Sequence, residues 1–148
     1  MNKIRELLQG LVSDYVESDM ICLTVDKLNL KKVLKTLKET KGLEFNQLID
    51  LCAVDLIEYG ESEWETKETT NKGYNRGINP QSHSRIDFVS EDDNKEYKLC
   101  VVYHLLSISQ NIRIRVKCNL SDESLIIPSV TDIFASADWY EREAYDLF

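Results

Sequence analysis

Between Asp138 and Phe148 the chain sets Asp138, Glu141, Glu143 and Asp146 around Arg142, with Trp139, Tyr140, Tyr145 and Phe148 interleaved. Two neighbouring carboxylates are what general acid–base chemistry asks for, one protonated and one not. Glu141 and Glu143 are the obvious pair. On a helix, however, residues i and i+2 project roughly 160° apart under the 3.6-residue period, so they cannot share a substrate. The segment is better suited to gripping a protein. Arg142 offers a planar fork of donors that can meet a partner carboxylate bidentately, and Trp139 supplies an aromatic anchor of the kind found in interface hot spots. A surface helix with one packed tryptophan accounts for the same residues equally well. The candidate interface residues are Trp139, Glu141, Arg142, Glu143 and Asp146.

Other chemistry has less support. His104 follows Tyr103 in an apolar run, where a satisfied core or interface histidine is the plainer reading than a catalytic one. Cys22, Cys52, Cys100 and Cys118 stand singly, each within an apolar run and none in a Cys-x-x-Cys pair. Buried free thiols fit that pattern. Zinc or an iron–sulfur cluster would need clustered thiolates or imidazoles, and the chain has only two histidines, His83 and His104. No nucleophile motif places a serine or cysteine, and the five glycines form no phosphate-cradling loop. Hydrolase and nucleotide-binding readings therefore fall away.

Charge and length narrow the field further. A net charge of -8, from 26 acids against 18 bases, repels a phosphate backbone. The one dense basic stretch, Lys27 to Lys41, is interleaved with leucines at helical spacing and reads as a solvated helix face. Met1 to Leu8 is too polar for a signal peptide and carries an acid too early for a transit peptide. No apolar run approaches the roughly 20 residues of a membrane span. Free thiols without a leader suit a reducing compartment. With 148 residues, one domain can bury about two-thirds of its unfolded surface without staples.

The elements that would position these residues follow from periodicity. Ile4, Leu7, Leu8, Leu11 and Val12 recur at helical spacing and predict an opening helix. Met20 to Val25 reads as a strand. A second helix, capped by Asn29 or Asp26, turns Leu30, Val33, Leu34 and Leu37 inward until Gly42 ends it. Phe45, Leu48, Ile49 and Cys52 suit a helical turn, and residues 51 to 57 a buried strand, so a helical turn running into a strand is expected. Residues 58 to 84, polar and containing Pro80, predict a mobile inserted loop. Arg85 to Ser90 and Tyr97 to Ser107 flank a polar turn and should pair as a hairpin. From Asn111 to Cys118, Ile112, Ile114, Val116 and Cys118 alternate with Arg113, Arg115 and Lys117, which predicts a strand with an apolar core face and a basic outer face. Helices early, strands later and a helix last make an α+β, two-layer sandwich, with a mostly antiparallel sheet, helices packed on one face and a C-terminal helix.

That last helix has its own local logic. Asp138 at the N-cap and Glu141 three residues on predict a reciprocal capping box. Tyr140, Ala144, Leu147 and Phe148 would form the apolar stripe, and Arg142 would pair with Asp146. Such a pair is worth only about 0.3 kcal/mol in this order of signs. An aromatic residue at the chain end with no helix stop behind it leads to the expectation that a longer polypeptide was cut at Phe148.

The segments Pro128-Ser-Val-Thr-Asp-Ile-Phe134 and Ala137-Asp-Trp-Tyr-Glu-Arg-Glu-Ala-Tyr-Asp-Leu-Phe148 resemble the signature of the C subunit, the 30 kDa subunit, of proton-pumping NADH-quinone oxidoreductase, respiratory complex I. Phe45 to Asp55, Val102-Tyr-His-Leu-Leu-Ser107 and Ile112-Arg-Ile-Arg-Val-Lys117 are similar to the same family at its spacing, so the resemblance covers most of residues 20 to 148. The family's signature runs on into a glycine and a basic, histidine-containing tail, which does not follow Phe148. The resemblance implies an α+β fold and a non-catalytic structural subunit of the peripheral arm, supporting the quinone-binding module. It implies no cofactor in this chain, with flavin and iron–sulfur centres in partner subunits. The implied partners are chiefly the neighbouring D subunit, which builds most of the quinone site, and the quinone-module iron–sulfur subunits, on the cytoplasmic side of the bacterial inner membrane. It favours the interface reading of Trp139, Glu141, Arg142, Glu143 and Asp146. Homologous subunits of energy-converting hydrogenases or F420-linked dehydrogenases, and a free-standing protein-binding module, are the alternatives.

Overall fold

The computed structural model describes residues 2–18, 20–56, 97–121 and 125–148. Along them run α1 (Asn2–Leu7), β1 (Asp14–Glu17), β2 (Ile21–Thr24), α2 (Leu30–Glu39), β3 (Gln47–Asp55), β4 (Leu99–Ser107), β5 (Ile112–Leu120) and α3 (Ala137–Leu147). The described strands form one sheet in the order β1-β2-β5-β4-β3. Only β2 and β5 are parallel; the pairs β1/β2, β4/β5 and β3/β4 are antiparallel. Residues 58 to 84 and the strand expected over Arg85 to Ser90 lie outside the described residues.

Side-chain alternation sorts the sheet into two faces. One register row runs Tyr15, Leu23, Val116, Tyr103, Leu51 across all five described strands, and its central residues are almost fully buried. On this face lies the core, where Ile114, Val116, Cys118, Leu105 and Leu23 meet Ile4 and Leu8 of the N-terminal segment and the inner stripe of α2. The neighbouring row, Val16, Cys22, Arg115, His104, Asp50, belongs to the opposite face. The architecture is the expected α+β sandwich.

α2 forms for the reason its spacing gives. Leu30, Val33, Leu34 and Leu37 fall on one stripe and are all completely buried. Asn29 is the N-cap, although its side chain makes no capping hydrogen bond. The helix ends at Glu39, before Gly42: Thr40 turns extended and returns its hydroxyl to the Thr36 carbonyl at 2.6 Å. Gly42 then takes a left-handed φ of 84° in the following turn.

Three local expectations are overturned. The opening helix stops at Leu7, and Gly10, with φ 78°, turns the chain so that β1, an exposed edge strand not foreseen, can pair with β2. The helical turn expected around Phe45 to Cys52 does not form: Phe45 lies in the connection just before β3, and Leu48, Ile49 and Cys52 lie within that strand. A register shift between Leu48 and Asp50 explains the false period: the extra residue lets Leu48 and Leu51, three apart, both reach the core. Finally, α3 begins with Ser136 at its N-cap, without a side-chain cap, so Asp138 sits inside the first turn and no capping box forms.

Candidate docking site

α3 is held along one face. Ala137 is fully buried, and Tyr140 and Ala144 pack half-buried against the core. With Glu141 these fall at i, i+3, i+4 and i+7, a proper helical stripe, but shifted from the predicted one. Leu147 and Phe148, expected inside, are 69% and 54% exposed. The stripe runs out because α3 leans on the β3 edge only through its first two turns. There the Tyr140 hydroxyl donates to the Ile49 carbonyl at 2.9 Å, at the irregularity in β3.

The segment leading into α3 is pinned from two sides. Val130, Ile133 and Phe134 are buried, and the Val130 carbonyl accepts from both Ile133 N–H and Phe134 N–H at 2.9 Å. From α2, the Lys38 ammonium donates to the Ile133 carbonyl and lies 5.0 Å over the Phe134 ring. Lys31 meets Asp132 at 3.0 Å, and that hydrogen bond holds the Asp132 carboxyl below its ordinary range. From α3, Glu141 Oε1 accepts the Val130 N–H at 2.7 Å.

The opposite face of α3 is open. Trp139 is 76% exposed and Tyr145 86%. Arg142 pairs with Asp138 at 3.4 Å, not with Asp146 as expected, and lies 5.9 Å over the Trp139 ring. An acid four residues before the base is the favourable order on a helix, and the aligned peptide dipoles favour the same placement. Asp138, Glu141, Arg142, Tyr145 and Asp146 line a shallow groove. Of the predicted site residues, the fold brings Glu141, Arg142 and Asp146 together there, while Trp139 stands beside them and Glu143 is exposed outside the groove lining. Sequence reasoning missed Asp138 and Tyr145, which the spacing i, i+4, i+7, i+8 from Asp138 would have put with Arg142 and Asp146.

His104 belongs to the sheet instead. Its Nε2 accepts from Arg115 Nε at 2.9 Å, which leaves the proton on Nδ1, 3.8 Å from an Asp50 carboxylate oxygen. Burial, reinforced by the Arg115 charge and opposed by Asp50, pushes the imidazole below its ordinary value. The four cysteines are free. Burial raises the Cys52 and Cys100 thiols and pushes Cys118 up to about 12, which keeps these thiols protonated and unreactive. Among the described residues no group of three or more His, Cys, Asp or Glu side chains could hold a metal ion. Among them, too, no helix is long and apolar enough to cross a membrane.

The structure resembles the trypsin-resistant fragment of Nqo5 with a TM-score of 0.61 at 22% identity, covering 99% of this chain and 87% of that one. It is similar to a chain of the membrane-bound sulfane sulfur reductase, an archaeal respiratory membrane complex, with a TM-score of 0.61 at 18% identity, over 99% of this chain and 66% of that one. Residues 23–148 match the family model described as respiratory-chain NADH dehydrogenase, 30 kDa subunit, and the chain belongs to that family. Among its relatives is the C subunit of NADH-quinone oxidoreductase from Legionella pneumophila strain Corby, 41% identical over 93% of this chain and 57% of the relative. The corresponding protein of Vesicomyosocius okutanii is 45% identical over 91% of this chain and 61% of the relative. The chain thus spans a little over half the length of these curated relatives.

Proposed function

We propose that this chain is a non-catalytic structural subunit of the peripheral arm of a proton-pumping NADH-quinone oxidoreductase. It would support the quinone-binding module while electrons pass from NADH to quinone through centres in other subunits. The carrying observation is the asymmetry of α3: one face fixed to the sheet edge, the other presenting Trp139, Arg142 and Tyr145 to solvent. A large exposed tryptophan on a rigid helix is the composition of an interface core before its partner arrives. Trp139, Arg142, Glu143 and Asp146 would meet the partner, chiefly the D subunit that builds most of the quinone site, together with the quinone-module iron–sulfur subunits, and Glu141 would lie behind them. Flavin and iron–sulfur centres would reside in partner subunits and none in this chain, and the whole would lie on the cytoplasmic side of the bacterial inner membrane.

Rigidity is the contribution that such a protein can make. Electron transfer between fixed centres needs fixed distances, and a packed α+β block with a seated helix supplies them through preorganisation. The likeness to the sulfane sulfur reductase chain indicates that the fold alone does not choose among respiratory complexes, whereas the relatives at 41% and 45% identity favour NADH-quinone oxidoreductase.

Charge reversal at Arg142 (R142E) or Glu143 (E143K) in the complete gene product tests the proposal. Both variants should keep the wild-type circular dichroism and melting temperature when purified alone, and co-purify with the quinone-site subunit at least ten-fold less. Undiminished recovery of that partner with either variant would refute the docking role.

A further inference from the structure

We infer that Glu141 is a positioning residue for the docking face, not a contact to the partner; the inference rests on the docking reading above. Its Oε1 reaches back eleven residues to the Val130 N–H at 2.7 Å, and the residue is half-buried. Val130 is itself completely buried, with its carbonyl already committed to Ile133 and Phe134. The Phe134 carbonyl in turn accepts from Ala137 N–H at 3.0 Å, at the first residue of α3. Helix start, preceding turn and Glu141 therefore close a ring of hydrogen bonds within the chain. Lys38 clamps the same turn from α2 through the Ile133 carbonyl and the Phe134 ring.

This ring fixes where α3 begins and so where Trp139 and Arg142 point. Losing the acceptor leaves the Val130 donor unpaired and loosens the entry turn. The role requires an acceptor oxygen at Glu141 and does not require its charge. A direct contact with a cation on the partner would require the charge. Glutamine keeps the first and removes the second; alanine removes both.

The test uses the full-length chain with Glu141→Gln, Glu141→Ala and Arg142→Glu, reading affinity for the quinone-site subunit and hydrogen exchange of the Val130 amide. Glu141→Gln should keep the Val130 amide protected and the affinity within about three-fold of wild type. Glu141→Ala should speed Val130 exchange about ten-fold and weaken affinity about five-fold or more. Lys38→Met, which releases the turn from its other side without altering α3, should weaken affinity in the same direction and covers the case in which Glu141→Ala fails to fold. The inference is overturned if Glu141→Gln loses affinity as alanine does while Val130 stays protected, because the carboxylate would then meet the partner directly. It is also overturned if Glu141→Ala leaves Val130 protected. If Arg142→Glu and the Glu141 variants all leave affinity unchanged, the docking reading itself fails, and the positioning role fails with it even where Val130 exchange separates alanine from glutamine.

Discussion

Replacing Tyr140 by phenylalanine removes one atom and isolates what seats α3 on the sheet. The hydroxyl donates to the Ile49 carbonyl at 2.9 Å across an exposed part of the β3 edge. Water can re-solvate that carbonyl when the hydroxyl is gone, so the loss falls in the lower part of the range for a neutral hydrogen bond, about 0.5–1 kcal/mol. That raises the local opening of α3 by about two- to five-fold. Tyr140→Ala also strips a half-buried ring from the core edge, which adds about 1 kcal/mol of lost burial, for a total of about ten- to thirty-fold. Native-state hydrogen exchange of the α3 amides, read against those of Tyr103 and Val116 in the sheet, resolves both effects. Because seated α3 remains the majority state, the phenylalanine variant should leave partner affinity within about two-fold. Sheet amides that accelerate as much as α3 amides would refute separate seating of the helix. Unchanged α3 exchange in both variants would refute the part assigned to Tyr140.

Leu34→Ala empties a position with no solvent exposure, so chemical denaturation should register a loss of about 2–5 kcal/mol. Leu28→Ala, in the turn before α2 at 89% exposure, should stay within about 0.5 kcal/mol, and equal losses would contradict the assigned burial of Leu34. His104 titrates below its ordinary value of 6.5 in the folded protein, so the unfolded chain binds the proton first as pH falls. Its contribution is complete above about pH 6.5 and is lost as pH drops through the lower folded-state value. His104→Gln should flatten that part of the stability curve, measured as denaturation midpoint against pH; a steeper decline on acidification would contradict the assignment.

Much of the fold could be read from local pattern because the pattern is itself the physical cause. Alternation along Ile112 to Cys118 places every second side chain on one face whatever the neighbouring strand, and the Leu30, Val33, Leu34, Leu37 stripe makes α2 bury one side. β3 misled for the converse reason. A bulge breaks the period of two, and Leu48 and Leu51 then imitate a helix. β1 carries only Tyr15 and Val16 between two acids, too short a run to signal a strand, and becomes one because β2 offers an edge to pair with.

For the candidate site, sequence by itself determined that the last eleven residues form an amphipathic helix in which Trp139, Arg142, Glu143 and Asp146 share no packed face, since helical geometry fixes directions once a helix forms. Only the tertiary structure decided the rest. It moved the helix start to Ala137, gave Arg142 to Asp138, and turned Glu141 inward to Val130. Each of those choices depends on a partner brought near by the chain's path over the sheet edge. The Val130 donor, the Ile49 carbonyl and Lys38 lie 11, 91 and 95 positions from their partners Glu141, Tyr140 and Ile133. The local periodicity of a sequence carries no information about separations of that kind.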